Sequence, residues 1–287
     1  MNTTEKRERY RRVLAGDVCI HPASVFDPTS ARIADSLGYE IGMLAGSVAA
    51  AAVLGSPDLV VLTLTEFADL ARRITRASDL SLMVDADHGY GNALSVMRTV
   101  EELEVAGVSA LTIEDTLLPA PFGRQSAQDA LPVEEMVGKL RAAVAARSDP
   151  SLVVIGRTRV SGDAAFAETV ERVRTYSTTG VDAIFVAGAT TRAQVQAVHG
   201  ATDLPLLLGG TPPDLNDQGF LSANRVRIAL TGHIPFWAAV KTVFEVFQQL
   251  KDDGVTAAVR ERAASEELMA LATGRQEYAG WQQEFLS

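Results

Sequence analysis

Eight short apolar runs, separated by stretches of helical periodicity, restrict what this chain can fold into. They fall at Val18–Ala23, Ile41–Ala45, Leu82–Asp85, Ala110–Glu114, Leu152–Arg157, Ala183–Ala187, Leu204–Leu208 and Val226–Leu230. Each is rich in Val, Ile and Leu without alternating polar residues, the pattern of parallel strands covered on both faces. The connecting stretches have helical spacing. Val96, Val100 and Leu103 recur at i, i+4, i+7, with Asn92 placed to cap the start and Gly107 to end the turn. This alternation predicts an α/β fold, a single (β/α)8 TIM barrel over 1–287. A barrel of this kind uses roughly 250 residues as one domain, which suits a chain of 287.

Other stretches lie outside that scheme. Thr4 to Ala15 reads as a charged leading helix. A ninth apolar run, Leu59–Leu64, reads as a short extra segment between the second and third strands. His233 to Gly254 reads as a long helix with Val240, Val243, Phe244 and Phe247 on one face. Thr256–Ala272 and Gln276–Phe285 add further helices, so 255–287 forms a C-terminal helical extension that packs on a partner or caps an end. Thr116–Leu131 is a long loop after a strand, read as a functional lid or as a surface excursion.

Composition excludes several classes. A net charge of −10 disfavours broad contact with nucleic acid or an anionic membrane. One cysteine, Cys19, rules out an internal disulfide framework and a multi-thiolate zinc site. No apolar run reaches the ~18 residues of a membrane span, and Met1 to Gly16 lacks the apolar core of a signal peptide. The expectation is a soluble, cytoplasmic protein. Walker A, HExxH and GxSxG motifs are absent, and Gly89-Tyr90-Gly91-Asn92-Ala93-Leu94 fails as a dinucleotide fingerprint at its last position. Cys19 reads as a buried thiol rather than a nucleophile.

The carboxyl ends of barrel strands carry active sites, and here they are polar. Asp85 and Asp87 fall on one side of the third strand by its period of two. Glu114 and Asp115 end the fourth. Carboxylates this close repel unless a cation or protons neutralise them. A hard divalent ion such as Mg2+ takes oxygen ligands and retains waters that substrate can replace. A single such acid usually caps a helix or binds loop amides, but several on adjacent strand ends point to a metal. Arg157 aims at the same rim, to hold a substrate carboxylate or to pair with a rim acid. Ser47 begins a helix, where its hydroxyl and nearby amides receive an oxyanion or where it serves as a cap. His233, after Thr231-Gly232, donates to an anionic substrate or caps the helix it opens. His88 reads as a turn residue facing solvent or a partner, and His21 and His199 as structural or surface residues.

Asp85-Ala86-Asp87-His88-Gly89-Tyr90-Gly91-Asn92 with Ile113-Glu114-Asp115 resembles the isocitrate lyase/phosphoenolpyruvate mutase superfamily. Ser24-Val25-Phe26-Asp27-Pro28, Ala45-Gly46-Ser47-Val48, Arg157-Thr158 and Thr231-Gly232-His233 extend the likeness over nearly the whole chain. Glu114-Asp115-Thr116-Leu117-Leu118-Pro119 and Phe122-Gly123-Arg124 look most like its oxaloacetate decarboxylase branch. The resemblance implies a barrel whose final helix is exchanged between protomers, in a homodimer or a homotetramer built as a dimer of dimers. It implies Mg2+, with Mn2+ as a substitute, held directly by Asp85 and through water by Asp87 and Glu114. Ser47, Arg157 and His233 match positions that contact a small 2-oxo diacid. The lyases' Lys-Lys-Cys-Gly-His loop has no counterpart, because Leu117 to Gln128 holds no Cys, Lys or His. The sixth strand ends Val186-Ala187-Gly188-Ala189, without the lyases' glutamate. The mutase loop asparagine is also missing between Thr116 and Gln128, and Arg159 stands where a small or amide residue is common. Decarboxylation of oxaloacetate to pyruvate is the implied reaction. The alternatives are C–P bond chemistry on phosphonopyruvate, cleavage of another 2-oxo diacid, or a non-catalytic barrel that binds a 2-oxo acid.

Overall fold

The computed structural model describes residues 1–123, 129–160, 162 and 166–287. Its strands are β1 (Ala23–Ser24), β2 (Ile41–Leu44), β3 (Ser81–Asp85), β4 (Ala110–Glu114), β5 (Val153–Arg159), β6 (Ala183–Ala187), β7 (Leu206–Gly209) and β8 (Val226–Ala229). They pair in sequence order and in parallel, with helices between them, giving the expected (β/α)8 arrangement.

The first apolar run is divided. Ile20 bridges to Ile228 of β8, donating to Arg227 O and accepting from Ala229 N, while β1 further on pairs with β2. Pro22, which has no N–H to donate, stands between the two pairings. The Leu59–Leu64 run forms no strand. Its end starts the helix Leu64–Ala77, which Thr63 and Glu66 close with a reciprocal capping box.

Residues alternate between two apolar layers along each strand. Met43, Met83, Ala110, Val153, Ile155, Ala183, Phe185, Leu207 and Ile228 fill the barrel, while Leu44, Leu82, Val84, Leu111, Ile113, Val154, Ile184 and Leu208 face the surrounding helices. The leading helix Thr3–Ala15 closes the amino-terminal end, with Tyr10 fully buried and its hydroxyl on Met83 Sδ at 3.2 Å. Arg7 fixes this plug by donating to Val108 O, Glu104 O and Asp149 at 2.9, 2.8 and 2.7 Å. The barrel is therefore stoppered at one end, and its interior opens at the other.

At the carboxyl end of the chain, the helix Ile234–Asp253 buries none of its residues. The shorter helices Ala257–Glu261, Glu266–Thr273 and Arg275–Phe285 follow it. No helix of the described residues is long and apolar enough to cross a membrane.

Candidate active site

The inward alternation that builds the core turns polar at the carboxyl ends of the strands. Asp85 ends β3, Glu114 ends β4, and Arg157 and Arg159 lie near the end of β5. These four side chains line one cavity of about 830 Å3, together with Ser47, Asp58, Asp87, Phe185 and His233. All six site residues expected from the sequence (Ser47, Asp85, Asp87, Glu114, Arg157 and His233) thus come together. A cavity of similar size at the opposite end is lined by helix ends and the chain's amino terminus. Its Lys6 is already committed to Thr75 O and Ser78 O, and it is the strand-end cavity that gathers the expected residues.

Backbone geometry sets the acidic wall. Asp87 follows β3 at φ 47°, in the left-handed region, and its N–H donates to Asp85 Oδ1 at 3.2 Å. Gly46 makes room for it, since a Cβ there would lie 2.7 Å from Asp87 Oδ1. Asp85 Oδ1 also accepts from Thr112 Oγ1 at 3.1 Å, and Arg157 donates to Asp85 Oδ2. Arg157 Nε lies 3.0 Å from Glu114 Oε2 without the alignment of a hydrogen bond, and its guanidinium stacks on the Phe185 ring at 5.2 Å. The ion-pair reading of Arg157 is therefore correct, and the same guanidinium still lines the cavity.

Crowding shows in the proton affinities. Burial first, then the charges of Asp85, Glu114 and Asp58, push the Asp87 carboxyl well above its ordinary range. Glu114 is also raised by burial, with Arg157 opposing and Asp85 adding to the shift. Burial raises Asp58, and Asp85 adds to that. For Arg157, burial disfavours the charge, but Asp85 and Glu114 outweigh it and hold the guanidinium pKa above its usual value. Four carboxylates around Arg157 are short of positive charge, which protons or a hard divalent cation would supply. Among the described residues, no three carboxylate, imidazole or thiolate groups converge as a ready-made cage. The donor set suits an ion held by one or two carboxylates and otherwise hydrated.

Ser47 is the second residue of the helix Gly46–Leu54, whose N-cap is Ala45 and carries no side-chain cap bond. The capping explanation for Ser47 is thereby removed, and its hydroxyl faces the cavity at an uncapped helix start. His233 likewise makes no cap bond to its helix, and its Nδ1 instead lies 2.9 Å from Ser24 Oγ. Burial lowers its pKa, against the raising effect of Asp85 and Asp58. Burial thus favours the neutral imidazole, whose second nitrogen has no hydrogen-bond partner among the described residues.

Two residues depart from their sequence-based placement. His88 is 7 % exposed, not a solvent-facing turn residue. Burial, with Lys139 adding, pushes its pKa down to about 4. Gly89 and Tyr90, both at positive φ, turn the chain back so that His88 tucks under the helical layer beside Tyr90. Asp115 is not part of the acidic rim. It points outward, 1 % exposed, and accepts from Thr158 Oγ1, Tyr176 Oη and Arg172 at 2.8, 2.8 and 3.2 Å. Asp58 is the acid that sequence reasoning missed. It stands next to the run Leu59–Leu64, and Leu59 and Val60 line the cavity with it. The loop after β4 is pinned at its base by Leu117 N to Asp129 O and Leu131 N to Asp115 O. Leu118, Pro119 and Ala120 of that loop reach the cavity. Arg124 lies outside the described residues. Cys19 is buried, and burial pushes its thiol up to about 11.

The model of the family described as phosphoenolpyruvate phosphomutase matches residues 14–251. The chain belongs to that family. Its relatives include a protein of Bradyrhizobium diazoefficiens named oxaloacetate decarboxylase, 50 % identical over 261 residues, 91 % of this chain and 90 % of that one. A Rhodopseudomonas palustris protein of the same name is 50 % identical over 248 residues, 86 % of each chain. Among solved structures of the family, a phosphonopyruvate hydrolase in complex with oxalate and Mg2+ superposes with a TM-score of 0.86 at 27 % identity, over all of both chains. An oxaloacetate acetylhydrolase with 3,3-difluorooxalacetate gives a TM-score of 0.85 at 28 % identity, over 98 % of this chain and 97 % of the other.

Proposed function

We propose that this enzyme decarboxylates oxaloacetate to pyruvate and carbon dioxide. The observation that carries the reading is the single cavity in which Asp85, Asp87, Glu114 and Asp58 face Ser47, Arg157 and His233. The two half-identical relatives named oxaloacetate decarboxylase support the same choice. Asp85 would hold Mg2+ directly and Asp87 and Glu114 would hold it through water, with Mn2+ able to substitute. When bound, the ion supplies Lewis-acid stabilisation of the enolate oxygen.

The chain's own groups do the rest. Ser47 and the uncapped amides beside it face the oxygen on which charge develops, as oxyanion donors do. Arg157, fixed by Asp85 and Glu114, and His233, fixed by Ser24, orient the substrate at the inner end. The C3–C4 bond breaks, its electron pair enters the enolate, and C4 leaves as neutral CO2. A proton delivered to C3 completes pyruvate. Phosphonopyruvate chemistry is the second reading, favoured by the likeness to phosphonopyruvate hydrolase.

The whole of 1–287 acts as one barrel unit, with 255–287 as its helical extension. The exposed apolar face of Ile234–Asp253 supports assembly with further copies, as a dimer or a dimer of dimers with that helix exchanged. A single buried, unpaired cysteine suits the cytoplasm.

The test is steady-state pyruvate formation by wild type and Asp85→Ala at equal Mg2+ concentration, because free metal ions also decarboxylate oxaloacetate. Saturable turnover confined to wild type supports the reading. Equal rates in both proteins sink it.

A further inference from the structure

β5 presents two arginines to the cavity, and the inner one is already neutralised. Arg157 is engaged by Asp85 and Glu114. Arg159 points to the same side of the strand by the period of two, about 6.6 Å farther toward the mouth. It lines the same cavity. Among the described residues its side chain makes no ion pair or hydrogen bond, and only its carbonyl is used, by Thr169 Oγ1 at 3.1 Å. The surroundings explain this isolation. Arg159 registers with Ala187 on β6, and Gly188, Gly209 and Gly210 line the cavity nearby. None of them offers a polar side chain with which the guanidinium could pair.

A four-carbon 2-oxo diacid carries two carboxylates of different fate. Its C1 carboxylate and C2 keto group belong at the inner end, among Ser47 and the acidic cluster. The C4 carboxylate then extends toward the mouth, where it needs a cation not already paired. The geometry points to Arg159 as the anchor of that outer carboxylate, and so as the residue that selects a 2-oxo diacid over a 2-oxo monoacid. This inference rests on the decarboxylase reading. The anchor is a grip on the ground state. Once the C3–C4 bond breaks and C4 departs as uncharged CO2, the guanidinium loses its partner and the negative charge resides at the inner end. A contact that weakens toward the transition state acts on substrate binding and not on the bond-breaking step. Its exposed setting keeps the ion pair moderate, so that it does not lock the leaving group in place.

The test compares wild type, Arg159→Lys and Arg159→Gln in two readouts with Mg2+ present. Arg159→Gln raises the KM for oxaloacetate about tenfold with kcat unchanged or higher. Arg159→Lys keeps the charge but loses the two-pronged geometry and falls between. The second readout is calorimetric binding of the four-carbon diacid malate, which has no keto group to accept the electrons of a C3–C4 cleavage, against oxalate, which fills the inner end alone. Arg159→Gln weakens the diacid about tenfold and leaves oxalate within twofold. Equal loss for both ligands, or no loss for either, overturns the anchor. If wild type shows no turnover but the diacid still depends on Arg159, the anchor stands and the decarboxylase reading falls.

Discussion

Two glycines hold the site open, and their loss is expected to be felt in the chemistry. A Cβ at Gly46 would press on Asp87 Oδ1 at 2.7 Å, so Gly46→Ala must displace a carboxylate of the acidic wall. The expected outcome is a several-fold rise in the Mg2+ concentration needed for half-maximal activity, read by metal titration. A Cβ at Gly209 would lie 2.7 Å from Phe185 Cζ, the ring on which Arg157 stacks. Gly209→Ala is therefore expected to raise KM through Arg157, with a smaller change in Mg2+ activation than Gly46→Ala. The contrast between the two variants separates the metal wall from the substrate anchors. Cys19 makes the opposite prediction. With its thiol buried and its pKa pushed up to about 11, it should leave activity unaffected by thiol-alkylating reagents over the time of an assay.

At the scale of elements, the leading helix shows how the two ends of the barrel divide the work. Arg7, 4 % exposed, ties that helix to two carbonyls and to Asp149. Removing the guanidinium strands those acceptors, so Arg7→Met should cost about 2–4 kcal/mol in chemical denaturation with little change in kcat. Burial works against the Asp149 charge, but Ser151 and Arg7 outweigh it and hold its pKa below the ordinary 3.8. A carboxyl whose folded-state pKa is depressed adds stability above its unfolded-state pKa and loses it as pH falls toward the folded value. Wild type should therefore lose stability below about pH 4 more steeply than Arg7→Met. Most strands were legible because buried parallel strands read as unbroken apolar runs; Ala110–Glu114 and Ala183–Ala187 match to the residue. The first strand was not, because one apolar run serves two pairings on either side of Pro22. Leu59–Leu64 is apolar for a different reason, since part of it lines the cavity instead of pairing in the sheet.

In the whole molecule, the rim residues were readable at the strand ends, as for Asp85, Glu114 and Arg157, whereas Asp115, read with Glu114 as a rim acid, is turned outward by the strand's period of two. They were hidden where the chain leaves the strand. Asp58 comes from a loop, and the burial of His88 depends on positive-φ turns that no periodicity encodes. The helix Ile234–Asp253 leaves Val240, Val243, Phe244 and Phe247 between 51 % and 67 % exposed along one face. Such a stripe is costly in water, so Phe244→Glu with Phe247→Glu should reduce the molar mass measured by light scattering. The central claim is that the cavity breaks the C3–C4 bond of oxaloacetate and no other. Carbon-13 NMR of uniformly labelled oxaloacetate, followed with enzyme and Mg2+ against the Asp85→Ala control, reads the broken bond directly. The account predicts labelled pyruvate and bicarbonate formed faster than in the control. Labelled oxalate and acetate, or no product beyond the control, would contradict it.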